Sequence, residues 1–172
     1  MLLLGANLAF SQSARREFNN TAFISLDPEI TTLSYLLLGV KGAGLEGAYE
    51  RRVLPGYSLV GNVKCVFLDA EGARFSTWEL SVHNRFSMGS NFFFSVKAAA
   101  LLYASPYYSG VSFGPGFEAG YRFTLKQRFV IEPYLGCIAL TDDKFVMPYT
   151  IMSLSEYIIP NFTIGVRYGI TF

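Results

Sequence analysis

From residue 57 to the end of the chain, apolar side chains recur at every second position. Along 57–68, Tyr57, Leu59, Gly61, Val63, Cys65 and Phe67 share one face, and Ser58, Asn62 and Lys64 the other. A two-residue period belongs to a β-strand, whose successive side chains point to opposite faces. The pattern repeats in 75–86, where Trp78, Leu80, Val82 and Phe86 oppose Glu79, Ser81, His83 and Arg85. It returns in 92–103, 111–124, 129–139 and 158–172, with Lys97, Glu118, Arg122, Glu132 and Arg167 all on the polar face. No charge falls on the apolar face of these six segments. An earlier segment, 42–52, sets Ala43, Leu45, Gly47 and Tyr49 against Glu46, Glu50 and Arg52. Arg51 breaks its rule only at the strand end, where a long side chain can carry its charge to water. A first strand is expected within 20–38. Asp27-Pro28 interrupts it, so a short strand at 20–26 followed by irregular chain is the alternative.

Composition decides what such a sheet faces. The chain has 172 residues, enough for one domain, and 51% of them are hydrophobic. Only 16% are charged, against roughly 25% in ordinary soluble domains. Mean hydropathy is +0.31, yet no apolar run is long enough for a helix to span a bilayer. A closed barrel of strands is the other structure that satisfies its backbone in lipid. An all-β, eight-stranded antiparallel up-and-down transmembrane β-barrel therefore reconciles the two facts. A charge at the bilayer midplane costs about 2–4 kcal/mol, a sufficient cause for the charge-free face. Inverting the faces gives the competing fold, a soluble lipocalin-like barrel with aromatics around a ligand. The net charge of +1 gives no basic surface for nucleic acid.

The connections support the barrel. Val53-Leu54-Pro55-Gly56, Met88-Gly89-Ser90-Asn91 and Lys126-Gln127-Arg128 read as tight turns, and 69–73, 104–110 and 141–156 as the opposite, longer set. Short turns face the periplasm in such proteins and longer loops the exterior. Tyr49, Tyr57, Phe86, Phe92, Phe94, Tyr121, Phe123, Phe129, Tyr168 and Phe172 then fall at one level near the periplasmic ends, as an interfacial girdle does. Pro115, Pro133 and Pro160 are awkward in interior strands, and Gly114-Pro115-Gly116 is expected to form a bulge or kink.

The last segment, IIPNFTIGVRYGITF, carries alternating hydrophobic residues and a terminal aromatic, with Val166, Tyr168, Ile170 and Phe172 in register. It resembles the C-terminal assembly signal of outer-membrane barrels, and the chain after residue 20 resembles the small eight-stranded barrels of the OmpA, OmpX and OmpW type. The resemblance implies a bacterial outer-membrane location and insertion by the barrel assembly machinery. Residues 1–11 begin MLLLGANLAF and read as the remnant of a signal peptide, with a mature start near Gln12. Residues 20–172 read as a single barrel domain.

The lumen-facing charges are Glu46, Glu50, Glu79, Glu118 and Glu132 against Arg52, Lys64, Arg85, Lys97, Arg122 and Arg167, with His83 beside them. An eight-stranded barrel is just wide enough for side chains to fill it, and buried charges persist when paired. The expectation is a polar network that plugs the lumen, in a protein with a structural or surface-exposed, adhesive role. A narrow channel for small or hydrophobic solutes is the alternative. The loop 141–156 is the expected contact surface for an extracellular ligand. An acyl-transfer enzyme needs a nucleophile, a His and an acid in contact. Glu79, Ser81 and His83 share a face, but same-face neighbours lie about 6–7 Å apart, so a bond between them cannot be assumed. Cys65 and Cys137 read as small apolar residues. One His and no Cys cluster imply no metal, and no cofactor is expected.

Overall fold

The computed structural model describes residues 20–26, 41–70, 73–89, 91–104, 106, 109–126, 128–140 and 159–172. The signal-like segment 1–11, the loop 141–156 and all of 27–40 lie outside the described residues. Nine strand segments are present: β1 (Asn20–Leu26), β2 (Lys41–Leu54), β3 (Tyr57–Ala70), β4 (Ala73–Met88), β5 (Phe92–Ala104), β6 (Ser109–Tyr121), β7 (Phe123–Leu125), β8 (Phe129–Leu140) and β9 (Ile159–Thr171). Each pairs antiparallel with its neighbour, β1 pairs with β9, and β6 with β8. The β7–β8 register continues that of β6–β8 across Arg122. Segments β6 and β7 are thus one barrel strand broken at a single residue, and the sheet closes as eight strands. Among the described residues the first strand is Asn20–Leu26, and the rest of the expected range, 27–38, lies outside them.

Polarity is inverted relative to a soluble protein. Ile24, Val63, Val82, Phe113, Leu135 and Ile164 are exposed on the outer wall, while Glu46, Glu79, Arg85, Glu118 and Arg167 are buried inside. The lipocalin-like alternative requires the reverse and is overturned. Trp78, Tyr121, Phe123, Phe129, Tyr168 and Phe172 are exposed on the wall too. Two girdle hydroxyls are fixed by neighbours: Tyr49 Oη donates to Asn20 Oδ1 at 2.8 Å and Tyr57 Oη to Asn84 Oδ1 at 2.7 Å. Cys65 and Cys137 are half-buried free thiols at outward-facing positions of β3 and β8.

Three expectations about the backbone need correction. The connection expected over 69–73 is shorter than that, because the β3–β4 ladder takes in Asp69↔Arg74 and Ala70↔Ala73. Gly114-Pro115-Gly116 forms no bulge, because the β5–β6 register is unbroken from Phe92↔Tyr121 to Ala104↔Ser109. Instead the β6–β8 ladder ends at Gly116, next to the residue that has no N–H to give. Arg52 is not a lumen residue; its position is taken up below. The tight turns are otherwise as the sequence predicts, with Gly56 at φ +77 and Gly89 at φ +66, a region open to glycine without strain.

Candidate functional site in the barrel lumen

Five of the eight barrel strands send charged side chains into the half of the lumen nearer Asn20 and Phe172, and these meet across the bore. Arg85, from β4, donates to Glu50 of β2 at 3.0 Å, Glu118 of β6 at 3.1 Å and Glu132 of β8 at 3.1 Å. Arg167, from β9, donates to Glu118 at 2.6 and 2.7 Å and, through Nε, to Glu46 at 2.8 Å. Arg122, at the break between β6 and β7, bridges Glu50 and Glu132. Tyr134 Oη donates to Glu46 at 2.9 Å. The result is one continuous chain from Tyr134 through Glu46, Arg167, Glu118 and Arg85 to Glu50, Glu132 and Arg122. Arg85, Glu118 and Arg167 are 1% exposed and Glu132 is 0% exposed. Charges so buried persist because each is paired with at least one opposite charge through hydrogen bonds stronger than neutral ones, with the Ser95 and Tyr134 hydroxyls completing the set.

The wall is shaped to admit the arginines. Gly120 stands opposite Phe93, Gly165 opposite Tyr134 and Gly169 opposite Phe23. A Cβ at Gly120 would lie 2.5 Å from Phe93 Cζ, one at Gly165 2.6 Å from Tyr134 Oη, and one at Gly169 2.6 Å from Phe23 Cδ1. Each missing side chain therefore lets a ring press against the backbone. The guanidiniums stack on the inner surface of those rings: Arg85 is 4.1 Å from the Phe93 centroid and Arg167 3.9 Å from that of Tyr134. Such contacts add roughly 0.5–2 kcal/mol each, most when desolvated. The layers run glycine, ring, guanidinium, carboxylate. Sequence reasoning missed this arrangement, although inward glycines paired with inward aromatics were there to be read.

A second, smaller group lies above. Lys97 Nζ donates to Glu79 at 3.0 Å, and Lys64 stands opposite Glu79 in the β3–β4 register. His83 sits between the groups: Ser81 Oγ is 2.9 Å from Nε2, and Nδ1 is 3.9 Å from Glu118. The Ser81–His83 bond, which strand spacing leaves open, is present because the imidazole spans the gap between same-face neighbours. Its acid neighbour is Glu118, not Glu79, which is engaged by Lys97. Toward the end away from Asn20 and Phe172 the lumen turns apolar, with Ala99, Leu101 and Ile138 packed together and Tyr103 against them. Asn62 Oδ1, His83 Nδ1 and Ser112 Oγ are buried without a hydrogen-bond partner.

The structure brings together Glu46, Glu50, Lys64, Glu79, His83, Arg85, Lys97, Glu118, Arg122, Glu132 and Arg167. It does not bring in Arg52, which has the right parity but lies beyond the last layer of lumen side chains, where residues 51–56 are all exposed. Val166, Tyr168, Ile170 and Phe172 lie on the outward face toward the C-terminal end of β9, the last three exposed.

The architecture matches solved membrane barrels. The outer membrane protein Ail of Yersinia pestis in a phospholipid nanodisc is similar at TM-score 0.54 and 13% identity, over 89% of this chain and 99% of that one. The Neisserial surface protein A is similar at TM-score 0.53 and 8% identity, over 89% and 95%. The N-terminal β-barrel domain of Pseudomonas aeruginosa OprF matches at TM-score 0.50 and 10% identity, over 90% and 98%. No family model and no curated protein matches the sequence. The fold is that of the small eight-stranded outer-membrane barrels.

Proposed function

We propose that this protein resides in a bacterial outer membrane as a barrel closed by its own side chains, with a structural or surface-exposed role and no transport. The observation that carries this reading is Arg85, which at 1% exposure bonds carboxylates on three other strands and so crosses the bore. Opening a path there means breaking several charge-assisted bonds together, each costly in a low-dielectric interior. The apolar cluster of Ala99, Leu101 and Ile138 adds a second barrier above it. No enzymatic role is inferred. Ser81 and His83 are 5% and 0% exposed, and Glu118 is held by Arg167 and Arg85, so the trio has neither access nor a free acid. The outward Val166, Tyr168, Ile170 and Phe172 serve recognition by the barrel assembly machinery, and the segment 141–156 contacts an extracellular partner.

A narrow channel is the second reading. It is favoured by the buried, unpartnered atoms of Asn62, His83 and Ser112, which water could bridge. Single-channel recording in planar bilayers separates the two. The closed barrel gives no steps at 100 mV, whereas sustained conductance contradicts it and supports the channel. Deleting 142–155 and measuring adherence of expressing cells tests the surface role.

A further inference from the structure

His83 is the one histidine of the chain, and it is 0% exposed in the middle of the lumen. Imidazole is the side chain whose charge changes nearest neutral pH, so this ring is the natural place for the plug to feel acid. Its neighbours on the wall are Val60 of β3 and Lys97 of β5, which stand opposite it in the ladders. The two ring nitrogens are treated differently. Nε2 lies 2.9 Å from Ser81 Oγ. Nδ1 has no hydrogen-bond partner and faces Glu118 Oε2 at 3.9 Å.

The charged groups that act on the ring are Glu118 from β6, Lys97 from β5, Arg167 from β9 and Arg85 from its own strand. The other carboxylates are engaged elsewhere. Glu46 and Glu50 of β2 accept from Arg167 and Arg85, Glu132 of β8 from Arg85 and Arg122, and Glu79 of β4 from Lys97. Lys64 of β3 stands opposite Glu79, two rows from the ring. Glu118 is therefore the acid toward which Nδ1 can turn, and both of its oxygens are already occupied. Oε1 accepts from Arg167 at 2.6 Å and Arg85 at 3.1 Å, and Oε2 from Arg167 at 2.7 Å.

A charged imidazole donates from both nitrogens. Ser81 Oγ can accept from Nε2–H whether the ring is neutral or charged, so that contact survives. The new N–H at Nδ1 points into the space beside Glu118 Oε2 and competes with Arg167 for that oxygen. We propose that His83 is an acid-triggered latch in the plug. The neutral ring leaves Glu118 to the two arginines; the charged ring draws Oε2 away from Arg167 and loosens the cross-bore network. Three cations then share one carboxylate, and a buried charge without a full partner is costly. The stability of the closed barrel is therefore complete while the ring is neutral and is lost as falling pH charges it. Arg167 keeps Glu46 through Nε, so the loosening is local and reverses when the proton leaves. The latch rests on the reading of the bore as closed by these side chains.

The test uses the full folded chain in lipid nanodiscs, with the imidazole and the arginine side chains labelled with nitrogen-15 and read by NMR from about pH 8 to about pH 4.5. A single histidine gives a single imidazole signal. It is expected to show the neutral ring protonated on Nε2, then to gain a proton on Nδ1 while the barrel stays folded. The Arg167 guanidinium is expected to shift with the same midpoint, and that of Arg122, which does not touch Glu118, by less than half as much. In reversible urea unfolding, the unfolding constant of wild type is expected to rise about tenfold more over this range than that of His83→Gln, which cannot charge. If His83→Gln does not fold, the NMR titration of wild type decides alone. A ring that stays neutral until the barrel unfolds overturns the latch, as does an Arg167 signal that ignores the ring, or a His83→Gln variant as acid-sensitive as wild type. These failures leave the closed bore standing. Steady conductance at neutral pH overturns the closed bore and the latch together.

Discussion

The two halves of the lumen are built on opposite plans. In the half nearer Asn20 and Phe172, Arg85, Arg122 and Arg167 interlock with Glu46, Glu50, Glu118 and Glu132 around rings that lie flat on glycine. In the other half, Ala99, Leu101 and Ile138 pack together without charge. The β6–β8 ladder is continuous beside the first and ends at Gly116 beside the second. Buried ions need partners held at fixed positions on several strands, and a closed ladder supplies them. Small apolar residues tolerate a looser frame, since dispersion contacts are non-directional and individually weak. The difference teaches where rigidity is required: where charge is buried, the wall must be closed.

The sharpest way to break this contrast is to remove one carboxylate. Glu118→Ala takes a shared carboxylate from Arg167 and Arg85, both 1% exposed, leaves the network one positive charge in excess, and is expected to cost about 3–5 kcal/mol, the usual penalty for breaking a buried charge pair. Reversible urea unfolding in lipid vesicles reads the value. A loss below about 1 kcal/mol would mean that water already reaches the network.

Next in size is the wall itself. Gly120→Ala places a methyl 2.6 Å from the Pro133 carbonyl and 2.5 Å from the Phe93 ring. Because a backbone atom cannot move aside cheaply, about 1–3 kcal/mol is expected to be lost. The same unfolding assay checks it, and a neutral outcome would show that the ring need not lie flat. The smallest effect is expected above. Ile138→Val, at a site 2% exposed, should cost about 0.5–1.5 kcal/mol. If it matches Glu118→Ala, the two halves do not differ as argued.

Much of this was legible in the alternation of residues. The facing of Glu79, Lys97, Glu118 and Arg167 follows from a period of two, since a charge on the lipid side is too costly. Pairing partners were not legible. Which carboxylate Arg85 meets depends on how β2, β6 and β8 face each other across the bore, and local pattern does not carry that. Arg52 shows the limit in small: parity gives direction but not height, and at the rim direction loses its meaning. The Ser81–His83 contact was left open because Cα spacing ignores the reach of an imidazole. Pro115 was read as a distortion within a strand, whereas it marks the end of pairing on one side.

The central claim is that apolar residues face lipid and ionic residues the bore, and Trp78 tests it most directly. It is the one tryptophan of the chain, 45% exposed on the outer wall, one position from the inward-facing Glu79. In vesicles of lipid brominated on the acyl chains, its fluorescence is expected to fall severalfold relative to unbrominated lipid. Unchanged emission in brominated vesicles, with quenching by aqueous iodide instead, would contradict the account.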